Sequence, residues 1–130
     1  MATNSLEQAL ALLGPLEARI MRVIWEGTVK EPFVVRSVQQ ELADLAYPTI
    51  MTTMHRLAEK GVLTLTPVPG QRAYEYGTTM GPDEFLAWAS ERDAEQLIAR
   101  HGDRALAAFA DRLDKLSRTQ RERLRKLSGS

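Results

Sequence analysis

Apolar residues return every three or four positions through the first part of the chain, then switch abruptly to every second position. Leu6, Leu10 and Leu13 fall along one side of a short helix expected over 5–13, with Ser5 and Gln8 at capping-box spacing. Gly14-Pro15 interrupts it and opens a second helix. Gly14 serves as N-cap, Pro15 as first helical residue, and Glu17 lies near the positive end of the dipole. Leu16, Ile20, Val23 and Ile24, with Trp25, make its apolar stripe, and Gly27 stops it. Phe33-Val34 reads as a short strand. A helix over about 35–44 then turns Val35, Val38 and Leu42 inward. Pro48 disfavours the α conformation at Tyr47, so the next helix starts at about that residue. Its inward stripe is Ile50, Met54 and Leu57, and it ends at Gly61 with Lys60 at its negative end. The alternating stretches 63–68 and 73–78 follow. Pro69-Gly70 between them suits the centre of a type II turn, which predicts a β-hairpin with Arg72 close to its tip.

From Pro82 onward the pattern is helical. The segment 82–101 has acidic residues in its first turn, yet its middle, SERDAEQ, has almost no apolar face. Such a stretch is exposed or packed against something outside the chain. Gly102 breaks it. Leu106, Phe109, Ala110, Leu113 and Leu116 then keep good helical register, and Ser117 with Gln120 again has capping-box spacing before a last helix over 118–127. The expected fold class is mostly α with a small β-hairpin: a winged helix-turn-helix domain followed by a helical dimerisation region. The expected divisions are an extension helix at 1–13, the winged helix at 14–80 and the dimerisation domain at 81–130.

Composition narrows the function. The chain has 130 residues, 44% of them hydrophobic, enough for a core. It has no cysteine, which excludes disulfides, thiolate metal sites and cysteine catalysis. No apolar run approaches the ~18 residues of a membrane span and no signal-type segment is visible, so a cytoplasmic protein without a membrane partner is expected. Two distant histidines, no glycine-rich phosphate loop and no nucleophile–base pair leave no candidate catalytic site, metal site or cofactor site. Seventeen basic residues offset seventeen acidic ones, so no general basic field announces a nucleic acid. Only RTQRERLRKL at 118–127 is strongly basic, and a solvated helix face is its plainer reading.

The helix ahead of the hairpin is unusual in its threonines. Threonine is a mediocre helix former, yet Thr49, Thr52 and Thr53 occur there together. Short hydroxyls let a helix approach DNA closely, bond phosphates or base edges, and pack a methyl on a thymine methyl. His55 and Arg56 reach further along the same side, although Arg56 also has Glu59 and Glu17 as candidate ion-pair partners. His101 reads as a partner of its helix's negative end. The stripe from Leu106 to Leu116 reads as core, within the subunit or across a dimer. Phe85, Trp88 and Leu97 are assigned to that interface because a thin subunit cannot bury them alone.

These residues carry a resemblance. LGPLEARIMRVIWEG, VRSVQQELA and AYPTIMTTMHRLAEKGVL resemble the penicillinase repressor family of bacterial transcriptional regulators (BlaI/MecI/CopY), most specifically through T-I-x-T-x-x-x-R-L-x-x-K-G-x-L from Thr49 to Leu63. The second wing strand RAYEYGT agrees, as does the helical stretch FLAWASERDAEQLIARHGDRALAAFADRLDKLS. The resemblance spans about 13–127. It implies a homodimeric repressor in which each winged helix reads half of an inverted-repeat operator and interlocked C-terminal helices hold the dimer. Carried onto this chain, it places Pro48, Thr49, Met51, Thr52, His55, Arg56 and Arg72 at the DNA. It places Phe85, Trp88, Leu97, Leu106, Phe109 and Leu113 at the dimer interface. Met51 stands where the family often has a basic or polar residue, exchanging a hydrogen bond for a thymine-methyl contact. The family's β-lactam-induced members are cut at an Asn-Phe bond and its copper-responsive branch carries C-terminal cysteines. Here the only asparagine is Asn4 and cysteine is absent, so neither route transfers and the inducer is unidentified. The alternative is a winged-helix protein-interaction module without a DNA role.

Overall fold

The computed structural model of the chain describes residues 5–129; the parts of the expected divisions at 1–4 and 130, Asn4 included, lie outside the described residues. Two compact units divide it, Met1–Ala89 and Ser90–Ser130. The elements are α1 (Ser5–Ala11), α2 (Pro15–Trp25), α3 (Val35–Glu41), α4 (Tyr47–Glu59), β1 (Leu63–Pro67), β2 (Tyr74–Thr78), α5 (Pro82–His101), α6 (Asp103–Asp114) and α7 (Arg118–Leu127). Helices therefore dominate, with one two-stranded antiparallel sheet.

In the first unit the predicted stripes meet. Ile20 and Met21 of α2, Val38 of α3, and Ile50, Met54 and Leu57 of α4 are all fully buried. Gly14 caps α2 in extended conformation, and its N–H donates to the Glu17 carboxylate three residues on. The same carboxylate accepts from Lys60 Nζ at 2.8 and 2.9 Å, which ties the start of α2 to the end of α4. Gly61 follows with φ +89°, the left-handed conformation that lets the chain leave α4 and turn into β1.

Two helices are shorter than their patterns suggest. α1 ends at Ala11 instead of residue 13, and α3 at Glu41 instead of about 44. At the end of α3, Leu42 leaves helical geometry (φ −130°, ψ 62°) while its side chain stays in the core. Asp44 beyond it is held by both guanidinium nitrogens of Arg19 at 2.8 Å. Phe33-Val34 contributes a single antiparallel bridge, Phe33 to Tyr76, and not a full strand. The predicted hairpin forms, with Leu65 opposite Tyr76 and Pro67 opposite Tyr74. Gly70 has φ +77° and Gln71 N–H donates to the Val68 carbonyl, as a type II turn at Pro69-Gly70 requires.

The first two turns of α5 also belong to this unit. Phe85 is 3% exposed, with its ring centroid 5.5 Å from Trp25 and 5.8 Å from Trp88. Trp25 Nε1 donates to the Met80 carbonyl. This corrects the reason for placing Phe85 at a dimer interface: α2 covers it within its own subunit.

In the second unit, the rest of α5 meets α6 at Gly102 (φ +59°). Ser117 caps α7 through the Gln120 N–H, and the Gln120 side chain accepts from the Ser117 N–H. Among its described residues only Ala105 is a buried apolar residue.

Candidate nucleic-acid interface

The helical period divides the residues of α4 sharply. Its buried side is Ile50, Thr53, Met54 and Leu57. Thr53 is thus not one of the outward hydroxyls; it is 3% exposed, and its Oγ1 donates to the Thr49 carbonyl one turn back at 2.8 Å. Pro48, Met51, Thr52 and Arg56 are exposed, and Thr49 is half-buried. No acidic residue sits in the first turn and no side chain caps Ala46, so the positive end of the α4 dipole is uncompensated. Arg56 forms no ion pair with a described residue; Glu17, its candidate partner, is taken by Lys60. A guanidinium and a small hydroxyl one turn apart therefore point away from the core, beside an apolar thioether at Met51.

His55 has a different setting. It is half-buried between α4 and the wing, its ring edge-on to Tyr74 (5.5 Å, 83°) and to Tyr76 (6.1 Å, 71°). The ring is placed to set the distance between helix and hairpin. Tyr76 is almost wholly enclosed and stacks on Phe33. Its hydroxyl has no hydrogen-bond partner among the described residues, and burial, reinforced by the Tyr47 and Tyr74 phenols, raises its pKa above the ordinary value.

Tyr47 and Tyr74 are exposed rings outside the set of residues expected at the DNA. Tyr47 is the first residue of α4, and Tyr74 stands on β2 over His55. Their signal was present: Tyr74 and Tyr76 are two apart in a strand and so share a face, and Pro48 fixes Tyr47 at the helix start. Arg72 is exposed beside the turn of the hairpin, as expected. The first unit thus presents α4's outward residues, Tyr74 and the wing tip.

The residues assigned to dimerisation lie in different environments. Phe85 is core and Trp88 is half-buried against it. Leu97, Leu106, Phe109 and Leu113 are each at least 40% exposed. Leu106, Phe109 and Leu113 share one stripe of α6 by i, i+3, i+7 spacing. Leu97 and Phe109 line a cleft of about 250 Å³ with His101, Arg104, Ala105 and Ala108. Among the described residues no cluster of His, Cys, Asp or Glu is arranged to hold a metal ion, and no helix is long and apolar enough to cross a membrane.

Comparison with known proteins gives a consistent picture. The family profile described as penicillinase repressor matches residues 13–129. Transcriptional regulator BlaI of Mycobacterium tuberculosis, in strains CDC 1551 / Oshkosh and H37Rv, is 40% identical over 81 residues, covering 60% of this chain and 56% of the relative. The chain thus spans little more than half the length of these curated relatives. A solved structure of transcriptional regulator PA4135 is 20% identical, covers 87% of this chain and 82% of its own, and superposes with a TM-score of 0.46.

Proposed function

The chain belongs to the penicillinase repressor family of transcriptional regulators, and from that premise we propose that it represses transcription as a homodimer on an inverted-repeat DNA operator. One observation carries the reading: Pro48, Met51, Thr52 and Arg56 all face outward on α4, next to a wing with Arg72 exposed beside its tip. In winged helices the helix before the hairpin enters the major groove while the wing follows the backbone.

Each residue has a distinct part. Thr49 and Thr52 contact phosphate or a base edge at short range, and the uncompensated N-terminus of α4 favours an adjacent phosphate. Met51 offers only apolar contact and selects a thymine methyl. Arg56 and Arg72 neutralise phosphates. His55 acts through position, holding the wing against α4. The second unit supplies the twofold mate: Leu97, Leu106, Phe109 and Leu113 form an apolar surface that the described residues leave uncovered. Pairing spaces two α4 helices for two half-sites about one turn of duplex apart.

The test is an anisotropy titration against the chain's own promoter region, with Thr52→Ala and Arg56→Ala combined. Loss of affinity and of sequence preference is expected, each good base contact being worth roughly 1–3 kcal/mol. Unaltered binding by the double variant removes α4 as the reading helix. A second reading, a protein-interaction module without a DNA role, has one observation in its favour. Residues 5–89 carry seven basic residues against ten acidic ones. Binding to a partner protein and to no promoter fragment would decide for it.

A further inference from the structure

The charge of this chain is divided in a way that the reading helix does not explain. The first unit is net acidic over residues 5–89, with seven bases against ten acids. Three of its bases are already engaged: Arg19 with Asp44, Arg22 with Glu7 and Lys60 with Glu17. DNA affinity rests largely on cations that displace condensed counterions, and α4 with the wing offers only Arg56 and Arg72 for that purpose. The opposite composition is found on α7, where five bases stand against Glu122 alone.

All of α7 is exposed, and none of its cations forms an ion pair with a described carboxylate. Arg118, Arg121, Glu122 and Arg125 line one cleft of about 350 Å³. They recur at i, i+3, i+4 and i+7, which is one face of a helix. Leu127 lies about half a turn away, on the opposite side, and Leu124 lies on the flank, next to Arg121. A copy of the chain that covers the two leucines therefore leaves Arg118 and Arg125 facing outward, with Arg121 at its border. Arg121 also donates to the carbonyls of Asp114 and Leu116, which fixes the start of α7 to the end of α6 and holds the face in one orientation.

We propose that the Arg118–Arg121–Arg125 face of α7 is a second DNA-contacting surface, which binds phosphates without reading bases and supplies electrostatic affinity that the acidic winged-helix unit lacks. The inference rests on the DNA-binding reading above, and its test separates the two. Affinity of the full chain for its promoter fragment is measured by anisotropy between 50 and 300 mM salt, as a series of approximate steps. Wild type is compared with the double variant Arg118→Gln, Arg125→Gln; Arg121 is retained because it anchors the helix. A control removes equal charge from Arg100 and Arg112 on α5 and α6.

The slope of log affinity against log salt should become shallower by about 0.9 for each cation that touches a phosphate, so by roughly two to four per dimer. Specific and nonspecific binding should weaken by similar factors, because phosphate contacts carry no sequence. The control should keep the wild-type slope, and the mass by light scattering should be unchanged. A double variant with the wild-type slope overturns the proposal. So does a fall in mass alongside the loss of affinity, which would give the face to a second copy of the chain, whose acidic Glu91, Asp93 and Glu95 would then be its partner. Failure of wild type to bind any promoter DNA would defeat both proposals; normal binding with an unchanged slope defeats this one alone.

Discussion

Replacing Phe85 by alanine separates intrachain packing from dimer packing. The ring is 3% exposed and lies between Trp25 and Trp88, so its removal leaves a cavity against two large, rigid aromatics. Phe→Ala changes at such sites cost about 3–5 kcal/mol, the upper part of the range applying where the surroundings cannot collapse. Trp25 is held by its Nε1 hydrogen bond to Met80 and is not free to fill the gap, so about 4 kcal/mol is expected. With a urea slope of roughly 1–3 kcal/mol/M, the midpoint should fall by about 1.3–4 M. The assay is urea unfolding at several protein concentrations, followed by circular dichroism and by tryptophan emission. Both tryptophans of the chain border the site, so native emission should shift as well. The decrement should be the same at every concentration. A normal midpoint at low concentration, with weakened dimerisation as the only effect, would refute the packing argument and return Phe85 to the interface.

His55→Ala should lower operator affinity several-fold by freeing the wing from α4, while the ranking of operator sequences stays as in wild type; competition titrations against mutated half-sites check this. Phe109→Glu with Leu113→Glu should yield a monomer by light scattering with the circular dichroism of the first unit retained. The pH dependence follows from two exposed pairs. Hydrogen bonds from Arg22 and Arg19 hold the carboxyls of Glu7 and Asp44 below their ordinary 4.5 and 3.8. Because the folded values are the lower ones, this small stabilisation is complete above the ordinary values and disappears as pH falls through the folded ones. Urea midpoints measured from pH 6 to pH 2.5 (about the span of carboxylate titration) should therefore fall less in Arg19→Gln, Arg22→Gln than in wild type.

Much of the first unit was legible because punctuation and periodicity agreed. Pro15, Pro48, Gly61 and Pro69-Gly70 each sit where the chain changes direction, and the stripes of α2 and α4 are buried as their spacing implies. What was misread turned on a single helical step or on distant residues. Thr53 has the same side chain as Thr52 but occupies the other side of α4, where one step of about 100° separates groove from core. Phe85 looked like surplus apolar area because Trp25, its cover, lies sixty residues away in sequence and on another helix. The division between units falls inside α5, after Ala89, where the helix continues but its apolar face gives out in the SERDAEQ stretch. His55 could not be told from a base reader until the tyrosines of β2 were in place beside it.

Among its described residues the second unit hides one apolar residue, Ala105, and leaves the leucines of α6 and α7 in water. A polypeptide with so little interior borrows its order from whatever it associates with, and association follows mass action. In the homodimer proposed above, its lifetime in a cell would be tied to its own abundance, with scarce copies open to proteases and plentiful copies sheltering one another. The quantity of regulator would thus set both how much of it is occupied and how fast it is cleared.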